Sequence, residues 1–292
     1  MVADCAFIKA AGLGTRMGEI GKILPKALWP IFEKSLLELQ VDYLQDLGIK
    51  KIYMNTSFLS NEIEKYVFKK NLNLIILKEN PLLGSGGCIH NLKRLIGDQR
   101  VLITNADQFI FSKKLNLYEV MDKNFVLLGM SVEKSMGYSR LQIKKNRLTG
   151  IIKNSDVDLS SFITFSGLSI IDLSKIKETT GVSNFFDTVA NFKENEIYIL
   201  ELEKFEYWDF GTAELYYETM LKALEKKESM LRDFLLKHEG IREKCIVNKN
   251  YQSSSGIVIE EGQIFLDGKK EIRKINGLSY NGIYWRKENL GF

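Results

Sequence analysis

A short apolar run, Cys5 to Ile8, leads into Ala10-Ala11-Gly12-Leu13-Gly14-Thr15-Arg16-Met17, and Pro25-Lys26-Ala27-Leu28 follows. The run reads as a buried strand that delivers a glycine loop. Without Cβ atoms, glycines let backbone N–H groups approach an anion closely. Arg16 and Lys26 add a cation on each side of the loop. Such a pair can hold a polyphosphate and offset charge that builds on it in a transition state. Together these features point to a nucleoside triphosphate site, with Ala11, Gly12, Leu13, Gly14 and Thr15 along the nucleotide.

The pattern after that loop alternates between strand and helix. A helix is expected over Ser35–Leu47, with Leu37, Val41 and Leu44 on one face and Gly48 closing it. Strands are expected at Lys51–Asn55, Leu74–Leu77 and Arg100–Thr104. Helices are expected at Asn61–Phe68, started by Ser60, and at Cys88–Leu95 behind the Gly84-Ser85-Gly86-Gly87 turn. This order argues for an α/β fold with a largely parallel sheet and right-handed crossovers. Strand patterns then crowd together: Phe125–Glu133, Ser139–Ile143, Leu148–Lys153 and Phe162–Ile171, with a hairpin near Lys145-Asn146. A short helix over Asp187–Lys193 and a strand over Ile197–Leu202 come next. The stretch Tyr207-Trp208-Asp209-Phe210-Gly211-Thr212 then opens a long helix running to about Lys237. Gly256, Gly262 and Gly268 recur every six residues near the end. Two such units are too few for a β-helix to bury its own core. A β-hairpin packed on the rest of the chain, or on a second copy of it, is expected there.

Composition narrows the function classes. The net charge of +4 is spread over scattered lysines, with no arginine-rich arm, which argues against nucleic acid as a partner. Cys5, Cys88 and Cys245 are far apart and odd in number, so neither a disulfide framework nor a zinc cluster is expected, and a reduced cytoplasmic compartment is. His90 and His238 are isolated. Neither a signal peptide nor a run of apolar residues long enough to span a bilayer is read.

Four further segments carry candidate chemistry. Ser85 and Gly86, at a helix start, suit a nucleotide approaching backbone N–H groups. Asp107 ends an apolar strand, where ligands bind in open α/β sheets. Asp209 sits between a strand and a helix, and two such carboxylates suit Mg²⁺, which takes one or two of them plus phosphate oxygens and water. Lys153 ends a strand and can meet a second phosphate.

These segments together resemble the sugar-1-phosphate nucleotidylyltransferases, the compact bacterial mannose-1-phosphate guanylyltransferase and N-acetylmuramate-1-phosphate uridylyltransferase enzymes above all. The likeness covers about residues 3 to 220 and rests on five ordered motifs. They are Gly12–Met17 with Pro25–Leu28, Leu83–Gly87, Ile103–Asp107, Phe165–Leu168 and Trp208–Thr212. The resemblance implies a Rossmann-like, mostly parallel mixed sheet flanked by helices. It also implies a catalytic domain over residues 1–237, which leaves a small β-rich segment at 238–292. It implies transfer of a nucleotidyl group from an NTP to a sugar 1-phosphate, giving an NDP-sugar and pyrophosphate for cell-surface glycan precursors. Arg16 and Lys26 would be catalytic, Asp107 and Asp209 would bind Mg²⁺, and Lys153, Ser166 and Gly167 would hold the sugar phosphate.

The sequence departs from that family at three positions: Lys9 replaces an aliphatic residue, Ala106 a glycine, and Ile152 a glutamate. A lysine on a buried strand needs an acceptor or a route to solvent. Lys9 is therefore expected to meet the nucleotide, unless Asp4 or Asp107 pairs with it. Two rival readings stand beside the enzyme. One is a phosphocholine cytidylyltransferase, which would need an aromatic cage drawn from Tyr207, Trp208 and Phe165. The other is a non-catalytic, nucleotide-sugar-binding regulatory subunit, which would need a lost cation or carboxylate. The expected partners are thus the NTP and the sugar 1-phosphate, with no nucleic acid and no membrane, and with the C-terminal β segment as a candidate homo-oligomer contact.

Overall fold

In a computed structural model, residues 2–253, 256–270 and 276–287 are described. The first strand, β1 (Cys5–Lys9), feeds the glycine loop and a single helical turn, α1 (Gly18–Gly21). A tiny hairpin, β2 (Pro30–Ile31) and β3 (Lys34–Ser35), precedes α2 (Leu36–Asp46). Then come β4 (Ile52–Thr56), α3 (Ser60–Lys70), β5 (Ile75–Lys78), α4 (Gly84–Ile96), β6 (Arg100–Asn105) and β7 (Gln108–Ser112). The middle holds β8 (Phe125–Glu133), β9 (Arg140–Lys144), β10 (Arg147–Ile152), β11 (Ser161–Asp172), α5 (Phe185–Thr188), β12 (Tyr198–Glu201) and β13 (Phe205–Asp209). Two helices, α6 (Ala213–Glu225) and α7 (Met230–Lys237), close that part.

The main sheet has nine strands in the order β5-β4-β1-β6-β11-β8-β12-β10-β9. The β5-β4-β1-β6 half is parallel, as the alternating pattern implies, and β11 turns the sheet antiparallel against β6 and β8. With period two along β1, Ala6 and Ile8 enter the core on one face of the sheet, and Cys5 and Phe7 the core on the other. Lys9 continues the Cys5–Phe7 side, toward Cys88 on α4 and Phe185 on α5.

Several boundaries differ from the sequence expectation for local reasons. Ser60 does not cap α3: Leu59 holds the cap position in a left-handed conformation, and the Ser60 hydroxyl bonds Thr56 Oγ1 at 2.9 Å instead. The Gly84–Gly87 stretch is the first turn of α4 rather than a turn before it. Its glycines allow close approach, since a Cβ on Gly86 would lie 2.5 Å from the Asn184 carbonyl oxygen. The short helix α5 lies earlier than the expected Asp187–Lys193. The expected long helix to Lys237 is broken between α6 and α7, where Ser229 caps α7 by accepting from the Arg232 N–H at 3.1 Å. Asp107 lies between two strands, β6 and β7, not before a helix.

After α7 the chain builds a second sheet of six strands rather than a lone hairpin. Its members are β14 (Ile246–Val247), β15 (Asn250–Gln252), β16 (Val258–Glu260), β17 (Gln263–Phe265), β18 (Gly277–Tyr280) and β19 (Ile283–Arg286), in sequence order across the sheet. The expected segment 238–292 also includes residues 254–255, 271–275 and 288–292, which lie outside the described residues. The sheet leans on the first part of the chain. Tyr251 is buried edge-on against Phe32, and its hydroxyl donates to Glu33. The Tyr217 hydroxyl donates to the Gly262 carbonyl, and the ring of Trp285 meets the ring of Tyr217 at 5.8 Å and lies beside Gly18 in α1. Among the described residues no helix is long and apolar enough to cross a membrane.

The start of α2 is fixed by a capping box. Ser35 Oγ accepts from the Glu38 N–H at 3.1 Å, and the Glu38 carboxylate accepts from the Ser35 N–H at 2.9 Å. Ser35→Ala should lower stability by about 1 kcal/mol, the usual cost of a lost N-cap. Urea unfolding followed by circular dichroism checks this, as a lower midpoint with an unchanged slope.

Candidate active site

The C-terminal ends of β1 and β6 open into a cavity of about 800 Å³. Its walls include the glycine loop, Arg16, Lys26, Asp107, Asp209 and Tyr138. A second cavity of about 320 Å³ adjoins it, and Lys9, Asn105, Gln108 and Tyr138 line both.

The loop is held from below. The Ala10 N–H donates to Asn55 Oδ1 at 2.7 Å, and Asn55 Nδ2 donates to Glu79 Oε1 at 2.7 Å. The other Glu79 oxygen accepts from the Leu83 N–H at 3.0 Å, just before α4. Asn55 and Glu79 are both buried, so this chain of hydrogen bonds ties the glycine loop to the start of α4 through a low-dielectric interior.

The two aspartates meet although they lie far apart in sequence. β13 pairs antiparallel with β7, setting Asp209 opposite Gln108. The ribbon runs one bond further, where the Phe210 N–H donates to the Asp107 carbonyl at 2.9 Å. A methyl group on Gly211 would lie 2.8 Å from Asp209 Oδ1 and 3.4 Å from Asp107 Oδ2, so both oxygens border the same small space. Only a glycine leaves that space open. The Asp107 carboxylate takes an ion pair from Lys26 Nζ. Asp209 Oδ1 accepts from the Gly211 N–H at 2.7 Å, and its Oδ2 accepts from the Tyr138 hydroxyl at 2.6 Å. Burial, reinforced by the Asp209 charge, pushes the Tyr138 phenol above its ordinary pKa, so it stays a donor at neutral pH. Two hard carboxylate oxygens bordering one small space suit a divalent cation that takes its remaining ligands from phosphate and water, once Lys26 gives up the Asp107 oxygen. Among the described residues no third His, Cys, Asp or Glu joins them.

The other sequence candidates are distributed unevenly. Gly12, Leu13, Gly14, Thr15 and Arg16 line the first cavity, while Ala11 is buried behind it. Ser85 and Gly167 line the second cavity. Gly167 sits at an irregularity in β11 with φ of +91°, and a Cβ there would lie 2.5 Å from Gln108 Oε1 and 2.6 Å from Asn105 Nδ2. Gly86 is buried within α4, and Ser166 is buried behind the second cavity with its hydroxyl accepting from the Leu168 N–H at 3.3 Å. Lys153 is exposed and lines neither cavity. Lys9 pairs with neither Asp4 nor Asp107. Its ammonium stands 5.4 Å from the centre of the Phe185 ring, and burial lowers its pKa. Tyr138, Gln108, Asn55 and Glu79 were not singled out by sequence, since each belongs to no local pattern. The aromatic cage does not form: Phe165 faces the second cavity, Trp208 is buried under Lys222 and Lys226, and Tyr207 bonds Asp209.

Known proteins share sequence and fold with this chain. Residues 6–118 match the MobA-like NTP transferase domain. The chain is 31% identical over 160 residues to a bifunctional sugar-1-phosphate nucleotidylyltransferase/acetyltransferase of Sulfurisphaera tokodaii, covering 54% of this chain and 38% of that protein. It is 35% identical over 119 residues to a D-glycero-alpha-D-manno-heptose 1-phosphate guanylyltransferase of Campylobacter jejuni, covering 39% and 53%. The crystal structure of HddC from Yersinia pseudotuberculosis complexed with GMP-PN superposes with a TM-score of 0.62 at 25% identity, covering 74% of this chain and 98% of that one. The chain is similar to proteins named as sugar-1-phosphate nucleotidyltransferases over part of their length. It shares their mixed α/β fold, and it spans about half or less of the length of the first two relatives.

The Asn55 bridge yields a test. Asn55→Leu strips the Ala10 N–H and the Glu79 carboxylate of their partner, and should cost about 1–3 kcal/mol of stability. Thermal unfolding of the variant beside the parent measures it.

Proposed function

We propose that this protein transfers a nucleotidyl group from a nucleoside triphosphate to a sugar 1-phosphate, releasing pyrophosphate. The observation that carries the reading is the meeting of Lys26, Asp107 and Asp209 at the mouth of the glycine loop, in a chain whose relatives are named for this reaction.

The chemistry asks little of the protein beyond placement and charge. A phosphate oxygen of the acceptor is already ionised at neutral pH and needs no general base. It attacks the α-phosphorus, a new P–O bond forms, and the α–β bridge bond breaks with its electrons leaving on pyrophosphate. Arg16 and Lys26 are suited to the β- and γ-phosphates, where negative charge grows as that bond breaks. The loop N–H groups cradle the triphosphate, and the Asn55–Glu79 bridge keeps them from sagging into the sheet. Asp107 and Asp209 would hold Mg²⁺, which when bound draws charge from the phosphate oxygens. Tyr138 fixes the orientation of the Asp209 carboxylate, and Lys26 occupies the Asp107 oxygen that borders the same space. The base and sugar are left open by this reading. Lys153 is exposed and lines neither cavity, so this reading assigns it no part.

Arg16→Ala and Lys26→Ala should each lower turnover by about two powers of ten, as expected for groups that act on transition-state charge. A pyrophosphate-release screen of the four NTPs against a panel of sugar 1-phosphates, with phosphocholine included, finds the substrate pair and then measures both variants. Near-normal turnover in both, with the fold intact, would remove these residues from the reaction.

The carboxylate pair is tested separately. Gly211→Ala fills the space between Asp107 and Asp209 and should raise the Mg²⁺ concentration for half-maximal activity at least about tenfold, in the range seen when the surroundings of a metal ligand are disturbed. Activity that persists in EDTA would overturn the metal assignment.

A further inference from the structure

Building on the transfer reaction proposed above, we infer that the acceptor carries an acidic group besides its reacting phosphate, and that Lys9 recognises that group in the second cavity. The inference starts from an unmatched charge. Lys9 lies at the end of the central strand, in register with Asn55 on one side and Asn105 on the other. Neither an ion pair nor a hydrogen bond of its ammonium is found among the described residues. Its ammonium stands over the face of Phe185, 5.4 Å from the ring centre, within electrostatic reach of Cys88 and Asp107 but paired with neither. An ammonium has three donors to satisfy, and an aromatic face offers attraction without a lone pair. A lysine placed so costs stability unless a ligand completes it.

The direction of the side chain says which ligand. Lys9 lines both cavities, and the ring its ammonium faces, Phe185, lines only the second. The second cavity is walled by Phe165, Phe185 and Phe186 with the amides of Asn105, Gln108 and Asn184. Among the described residues no carboxylate lines it, and Lys9 is its one charged wall residue. The two aspartates at the junction are already engaged, Asp107 by Lys26 and Asp209 by Tyr138. The reacting phosphate belongs at that junction, beside the carboxylate pair. An occupant of the second cavity therefore meets a single cation beyond the point of reaction. Its volume of about 320 Å³ falls in the range of small-ligand sites. The same charge repels a quaternary ammonium, which counts against a choline acceptor.

The test measures pyrophosphate release with each NTP and pairs of acceptors. Gluco, galacto and manno 1-phosphates are set beside the corresponding uronic acid 1-phosphates and glucose 1,6-bisphosphate, which separate a carboxylate from a second phosphate. The expected result is a preference of at least about tenfold in kcat/KM for an acidic acceptor over its neutral counterpart, of the size given by one charge-assisted hydrogen bond. Lys9→Met should abolish that preference through the acceptor KM, and Lys9→Arg should retain part of it. Equal use of neutral and acidic acceptors by the parent protein would overturn the inference. So would a Lys9→Met variant whose KM rises for the NTP and not for the acceptor. If no pair releases pyrophosphate, the transfer reading fails by itself. Calorimetric titration of the same acidic and neutral compounds into the parent protein and Lys9→Met then judges Lys9. Binding of the acidic compound that weakens at least about tenfold in the variant supports the inference, and equal or absent binding to both proteins overturns it.

Discussion

Everything at the site depends on β1 lying in parallel between β4 and β6. That pairing ends three strands at one edge of the sheet. It places Asn55 beneath the glycine loop, Asn105 beside Lys9, and Asp107 one turn beyond β6. The Asn55 side chain fixes the start of the loop by accepting the Ala10 N–H. Glu79 then anchors Asn55, and the same carboxylate holds the chain entering α4. One buried hydrogen-bonded pair thus connects both glycine-rich segments, and the rigidity of each is conditional on the other.

The second constraint is the two-stranded ribbon of β7 and β13. It is separate from the main sheet, and it carries Asp209 back to Asp107. Around that junction the polar groups satisfy each other in a chain from Lys26 through Asp107 and from Tyr138 to Asp209. The C-terminal sheet reinforces the other flank, where Trp285 lies against Gly18 and Tyr217 bonds Gly262. The glycine loop is therefore supported from beneath by Asn55 and from the side by a segment more than two hundred residues later in the chain.

Much of this was legible because the deciding signals are local. Glycine and proline act on their own dihedrals, so the loop from Gly12 to Pro25 and the positive-φ hairpin at Lys145-Asn146 can be read residue by residue. Ser35 with Glu38 announces α2 in the same way. What was not legible is non-local. No pattern within β7 tells it to pair with β13, and Tyr138 is one tyrosine among twelve until β13 brings Asp209 to it. The break between α6 and α7 falls at Lys226-Lys227-Glu228-Ser229, a stretch with neither glycine nor proline, where helix propensity yields to packing. Lys153 shows the opposite case: its place at a strand end suggested the acceptor phosphate, yet it is exposed and lines neither cavity.

The β7–β13 ribbon has a bearing on how such a chain can diversify. The spacing of Asp107 and Asp209 is set by backbone hydrogen bonds between two short strands, not by the long excursion that separates them in sequence. Changes in the loops between β8 and β12 that spare Tyr138 can accumulate without moving one carboxylate relative to the other. The excursion contains Phe165, Gly167 and Phe185, three walls of the second cavity. Under the transfer proposed above, reactivity and preference then lie on largely separable pieces of chain: a lineage can trade one acceptor for another by editing the loops of the excursion while the ribbon and Tyr138 keep the carboxylates in place.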